Sequence, residues 1–369
     1  MKVGSAVPAR GQQVPERAEV VVVGAGVGGL FAARRLQEAG IDVLVLEARN
    51  RVGGRLLSVG IEGGVLDLGA TWFWPGERRV QRLCVALGVA THSQYLEGDA
   101  LFQIPGQVER MAGNPLDVPA GRFVGGAESL ARALEATLPP GRVRLGCPVD
   151  SIFSADAQLR VGTPHGEVEA GDVILAIPPA LAIALIGFEP SLPSRIQALA
   201  GRTPVWMGGM TKVVARYGEP FWRHDGLAGS AMSHVGPLRE THDMSGPGGT
   251  PAALFGFAPP AAPTDPIVER AAILHQLTTL FGPQAATPEE LWIQDWRAER
   301  FTSPPGVAAL TAMDTFGSPV FSTPAFDGRL HWASTETARE SPGHIEGALA
   351  AGERAAAAVL RSAPSRLRS

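Results

Sequence analysis

The chain has 369 residues, 45% apolar and 18% charged, enough to bury a substantial core and to divide into about two domains. Its formal net charge of −4, with both signs interspersed, excludes the basic face that nucleic-acid binding requires. Cys84 and Cys147 are too few for a disulfide framework, neither they nor the histidines show metal-ligand spacing, and no run approaches the ~20 apolar residues of a membrane span.

The first segment, Met1 to Arg17, carries Arg10 and Arg17 but no continuous apolar stretch, so it reads as a loose tail and not as a cleaved secretion signal. Together with the cysteine usage this points to a reducing, cytoplasmic setting. Glu19 to Val23 is an apolar, β-branched run, as expected of a strand buried on both faces. Gly24, Gly26 and Gly29, with Gly28 between them, follow at dinucleotide spacing, and Leu30 to Leu36 continue as a helix ending near Gly40. Gly24 permits the tight turn, Gly26 the approach of a pyrophosphate, and Gly29 close packing of helix on strand. The helix amino terminus then offers unpaired N–H groups to phosphate. A second strand, Ile41 to Leu46, ends at Glu47, a carboxylate placed to accept hydrogen bonds from a ribose. NAD and FAD both fit this pattern.

Beyond it, the second strand runs into Glu47, Ala48, Arg49, Asn50, Arg51, Val52, Gly53, Gly54 and Arg55, which an NAD site does not need. Leu66 to Trp72 follow, including Gly69, Ala70 and Thr71. Gly125 and Gly126 then precede a helical stretch, alternating segments run from Val143 to Val168, and a strand from Asp172 to Ile177 ends in Pro178 and Pro179. From Gly201 to Glu299, extended runs at Lys212 to Tyr217 and Ala252 to Phe257 alternate with a helix from Pro266 to Phe281, predicting a second sheet. Trp292 to Trp296 come next. Near the end, Ser334, Thr335, Glu336, Thr337 and Ala338 lead to Pro342, Gly343, His344, Ile345 and a helix rich in glycine and alanine that another backbone can approach closely.

In this order the segments resemble the flavin-containing amine oxidases over most of the chain. The resemblance implies an α/β enzyme with a Rossmann-like FAD-binding domain built from discontinuous segments, 18–88, 121–200 and 299–362, and a smaller α+β substrate domain from 89–120 and 201–298. It implies that Arg55 contacts the phosphate region of FAD, that Gly69 to Trp72 pass beside the flavin, that Val149 touches adenine through its backbone, and that Glu336 and Ile345 belong to the flavin site. Lys212 corresponds to the lysine that holds a water against flavin N5, and Trp296 to the tryptophan beside the ring; both are catalytic candidates, with His344 as a third. Trp72, Trp74, Phe255 and Phe257 are candidates for an apolar substrate pocket.

Two departures matter. The stretch Thr302 to Gly306 has no cysteine where relatives attach the flavin, so the FAD is expected to be noncovalent. The two tyrosines that flank the amine in monoamine oxidases are matched by Gly306 and His344, so the aromatic cage is absent. The segment from Gly88 to Gly121 is also short, which leaves the site open and room for a homo-oligomer to supply a wall. The expected reaction is oxidation of an amine or amino acid by hydride transfer to N5, with molecular oxygen as acceptor. A desaturase or porphyrinogen-type oxidase on the same fold, and a flavin-binding module with little turnover, are the alternatives.

Overall fold

The computed structural model describes residues 17–155, 158–259 and 266–366; the expected amino-terminal tail, apart from Arg17, lies outside them. Alternation along the first strand, Arg17–Val23, organises the first sheet. Val20 and Val22 belong to one buried cluster with Val43, Val45 and Ile174, whereas Val21 and Val23 belong to another with Leu44, Leu46, Val173 and Leu175. The strand is therefore covered on both faces, which is why its unbroken apolar run is tolerated. It pairs in parallel with Val43–Leu46 on one side and Gly166–Leu175 on the other, at the centre of an eight-stranded mixed sheet. Leu330–Trp332, over 150 residues further along, joins this sheet parallel to Gly166–Leu175.

Both helices that matter for the site pack on one face of this sheet. The first runs over Val27–Glu38, three residues earlier than its apolar periodicity predicts, because Gly28 and Gly29 are already helical. The last runs over Ile345–Arg366 and packs against it. Their backbones nearly touch: a Cβ on Gly352 would stand 2.3 Å from the Gly28 carbonyl oxygen, and one on Gly28 would stand 2.8 Å from that of Ala348.

A second, seven-stranded sheet contains both predicted runs, as the strands Thr211–Tyr217 and Ala252–Ala258. It also recruits Asp99–Ile104 and Gln107–Met111 from much earlier in the chain. One of its faces packs through Val213, Ala215 and Leu254 on Ile273 and Leu277 of the helix Pro266–Phe281. Its other face is turned toward Leu66, Leu68 and Trp72. Among the described residues no helix is long and apolar enough to cross a membrane.

Gly352→Ala tests the crossing of the first and last helices. Alanine gains up to ~1 kcal/mol in helix propensity, but a methyl group 2.3 Å from a backbone oxygen forces the helices apart, and overpacking typically costs ~1–3 kcal/mol. A net loss of unfolding free energy is expected in urea denaturation, and a stabilised variant would show that the helices do not bear on each other there.

Candidate active site

A cleft of about 590 Å³ runs along the carboxyl ends of the first sheet's central strands and under the second sheet. It gathers most of the predicted residues: Gly24, Gly26, Gly28, Glu47, Ala48, Arg49, Gly54, Arg55, Gly69, Ala70, Thr71, Trp72, Val149, Lys212, Trp296, His344 and Ile345 all line it. Gly29 and Glu336 do not. Gly29 sits behind the turn, where a Cβ would stand 2.1 Å from the Gly24 oxygen, so it serves the packing of helix on strand. Glu336 is fully buried and acts one layer back: its carboxylate accepts from both terminal nitrogens of Arg55, at 2.6 and 3.1 Å, and from the Trp206 N–H. The Arg55 guanidinium is thus aimed by a fixed bidentate ion pair.

The near end fits a dinucleotide. An added Cβ on Gly26 meets nothing within 4 Å on the cleft side. The first helix begins at Gly26 with no side-chain cap and no acid in its first turn, so its first N–H groups and its positive end stay available to an anion. Glu47 is buried, with one oxygen accepting from Ala25 N–H and the other from Arg49 N–H. Ser334, also on the lining, has a buried hydroxyl with no protein partner, a cost that a bound polar group would relieve.

Lys212 lies deeper, 1% exposed. Its ammonium donates to the Gly69 carbonyl and the Thr71 hydroxyl and lies 4.4 Å from the centroid of the Phe255 ring. Burial pulls its pKa down to about 7, opposed by the Asp67 carboxylate and reinforced by Arg122. Asp67 is itself buried and raised, chiefly by burial, with Lys212 acting against that shift. Trp296 donates its indole N–H to the Leu68 carbonyl at 3.2 Å, pinning the segment that carries Gly69. Trp72, Trp74 and Phe257 line the cleft, but Phe255 does not; it is core packed beneath Lys212 and Trp72.

His344 is held by a buried acid and a ring. Its Nδ1 is 2.6 Å from Glu77 Oε1, and its imidazole stacks on Trp74 with centroids 4.6 Å apart. Gly306 takes a left-handed φ of 75° and is not part of the lining. Among the lining residues that the sequence reading does not single out are Trp206, Met207 and Glu240. Glu240 stands on a short strand, and a half-exposed carboxylate facing a cleft has no signature in one sequence.

A family model described as flavin containing amine oxidoreductase matches residues 27–125 and 118–360. A Mycobacterium tuberculosis protein assigned as a flavin-containing monoamine oxidase, AofH, is 31% identical over 94% of this chain and 97% of its own. Putrescine oxidase of Kocuria rosea is 28% identical over 95% and 96%. Among solved structures, cyclohexylamine oxidase from Brevibacterium oxydans shares the fold, with a TM-score of 0.82 at 23% identity, covering 95% of this chain and 100% of that one. The alignment with AofH runs over 445 positions, more than the 369 residues here, so that relative has segments without counterpart in this chain.

The state of Lys212 is open to measurement. Between about pH 7, where folded Lys212 loses its proton, and the ordinary lysine value of 10.5, the unfolded chain binds a proton that the folded chain does not, so stability rises with pH across that window. Lys212→Met removes this dependence. Relative to wild type the variant is expected to be most stable near pH 6 and to lose that advantage toward pH 10 in denaturant titrations. Parallel profiles would rule out a depressed lysine.

Proposed function

The chain belongs to the flavin containing amine oxidoreductases, and from that premise we propose that it oxidises an amine or amino acid substrate in the half of the cleft that joins Lys212 to His344. FAD is its cofactor. It is held without a covalent bond: Thr302 to Gly306 offers no cysteine, and Cys84 and Cys147 are buried away from the cleft lining. The observation that carries the reading is the continuity of one cleft from the glycine turn at Gly24 and Gly26 to Lys212, Trp296 and Glu240.

When bound, FAD would supply a hydride acceptor at N5, with oxygen as the final oxidant and hydrogen peroxide as its product. The protein's part is binding, orientation and proton handling. The first helix start and Arg55 would hold the pyrophosphate region, Glu47 the ribose, and Val149 the adenine side. The start of the last helix, at Ile345 on the cleft lining, would favour negative charge on a ring bound against it through its positive end. Lys212, fixed by Gly69 and Thr71, organises a water at the reacting face, and Trp296 bounds that space.

Glu240 gives the substrate side a carboxylate, its side chain 43% exposed, suited to a cationic amine. His242 lies 3.7 Å from it and is paired with Asp117 at 2.7 Å. Burial disfavours a charged His242, but the Asp117 hydrogen bond and charge outweigh it and raise its pKa. With Asp117 and Glu240 both beside it, the group around His242 carries a net negative charge in either state of the imidazole. His344 with its nitrogen on Glu77 orients the amine or takes its proton. Buried thiols fit a reducing, cytoplasmic setting.

Mixing the holoenzyme anaerobically with primary amines, polyamines and amino acids tests the assignment through loss of the flavin's visible absorption. Bleaching by an amine is expected; bleaching by chemical reductants alone would discard it in favour of a desaturase-type activity. Lys212→Met is expected to keep its FAD but to reoxidise more slowly, and an unchanged rate would remove the role given to the lysine. Denaturation should release free FAD into the supernatant; flavin retained on the polypeptide would contradict noncovalent binding.

A further inference from the structure

The helix Arg78–Leu87 starts without help from the side chain of its own cap residue, Glu77. An acid at that position ordinarily turns its carboxylate back onto the second and third N–H groups of the helix. Here those two groups, on Arg79 and Val80, donate instead to Glu346 in the first turn of the last helix, at 3.2 and 3.0 Å. The buried Glu77 carboxylate is thereby released for other partners: one oxygen accepts from the Trp74 N–H at 3.0 Å, and the other meets His344 Nδ1 at 2.6 Å.

Trp74 fixes both members of this pair, the carboxylate through its backbone and the imidazole through its ring, which stacks on His344 at an interplanar angle of 29°. The imidazole itself caps no helix; the backbone beside it is held by Thr335, whose hydroxyl donates to the His344 carbonyl and accepts from the Gly343 N–H. An ionised carboxylate only accepts, so a neutral His344 places its proton on Nδ1 and leaves Nε2 as a bare acceptor. No described residue hydrogen-bonds Nε2. The His344 side chain is 33% exposed on the cleft lining, whereas Glu77 lies off it. Other charges nearby are satisfied among themselves, Arg79 by Glu340, Glu346 and Glu353, and Arg55 by Glu336.

On the amine oxidase reading above, we propose that Glu77 is a positioning residue that makes His344 the proton acceptor for a substrate ammonium ion. One N–H bond of the ammonium breaks, its proton passes to Nε2, and the electron pair stays on the substrate nitrogen, where it is needed before hydride leaves the neighbouring carbon. The imidazolium so formed meets a carboxylate at Nδ1 and an indole face along its plane, the partners a cation takes. The proton then returns to solvent from the exposed part of the ring. Glutamine at position 77 would undo this arrangement: its amide keeps an acceptor for the Trp74 N–H but turns an NH2 to Nδ1, which moves the ring proton to Nε2 and removes the acceptor from the cleft.

Two measurements on the holoenzyme test the pair. In protein carrying isotope-labelled histidine, the His344 resonances are identified by their loss in His344→Gln. At a pH where the ring is neutral they should report the proton on Nδ1 in wild type and on Nε2 in Glu77→Gln; a wild-type proton on Nε2 would overturn the assignment. In anaerobic stopped flow with benzylamine near pH 7, Glu77→Gln is expected to bleach its flavin about 100-fold more slowly than wild type. That deficit should close to a few-fold as the pH passes the amine's own pKa, because the substrate then arrives without its extra proton. His344→Gln should follow the same profile, and the double variant should be no slower than His344→Gln alone. A deficit equal at every pH, or losses that multiply, would leave Glu77 and His344 with structural roles only. If neither benzylamine nor any other amine bleaches the wild-type flavin at any pH, the oxidase reading itself falls and the proton role falls with it.

Discussion

Two backbones meet where no side chain fits, and the site follows from that contact. Gly28 in the first helix and Gly352 in the last stand so close that a Cβ on either would press on the other's helix or its neighbours. The approach brings together segments more than 300 residues apart in sequence, so that Gly24 and Gly26 share a cleft with His344, Ile345 and Ala348. It also explains why the last helix is so rich in glycine and alanine: larger residues on that face would separate two helix starts whose dipoles point into the same space. Because the first helix carries no cap and no acid in its first turn, its donors remain free for a ligand instead of being consumed internally.

Deeper in, the controlling term is desolvation. Lys212, Asp67 and Arg122 are all buried, and burial moves the lysine and the arginine down and the aspartate up. The pull of Asp67 on the two cations only partly offsets that shift, because each charge is satisfied mainly by neutral partners: Lys212 by a carbonyl and a hydroxyl, Asp67 by Ser58 and the Ala127 N–H, Arg122 by the Ser245 carbonyl. An ammonium held by neutral acceptors gives up its proton more readily than one in a tight ion pair. Lys212 can therefore change charge near neutral pH without dismantling a salt bridge, which suits the water-organising role proposed for it.

Much of this was legible from the chain alone where local pattern and glycine chemistry coincide. The helix Pro266–Phe281 appears with both predicted ends, and the strand carrying Lys212 starts one residue earlier than expected, at Thr211. Elsewhere periodicity misled. The strand expected over Asp172 to Ile177 runs from Gly166 to Leu175, because its first half pairs with a hairpin partner that apolar content does not mark. The resemblance puts Glu336 at the flavin site; in the folded chain its carboxylate is off the cleft lining and paired with Arg55. Phe255 and Phe257 are two apart and look equivalent in sequence, yet one lies under the lysine and the other faces the cleft. Trp206, Met207 and Glu240 were missed because their position is set by where the two sheets meet.

The expectation that no aromatic cage flanks the substrate then acquires a physical sense. A pair of ring faces recognises an amine through its hydrocarbon and through cation–π attraction, worth ~0.5–2 kcal/mol. Here Gly306 is not part of the lining, and the other cage position holds His344, whose ring is already stacked on Trp74 and hydrogen-bonded to buried Glu77. That ring is rigid and polar, and can offer a nitrogen where a tyrosine would offer a face. In the proposed reading Glu240, on the cleft lining, takes over that attraction as a full charge, and a charge-assisted contact is both stronger and more directional than a ring face. Recognition built this way depends on where positive charge sits along the substrate more than on the bulk beside it.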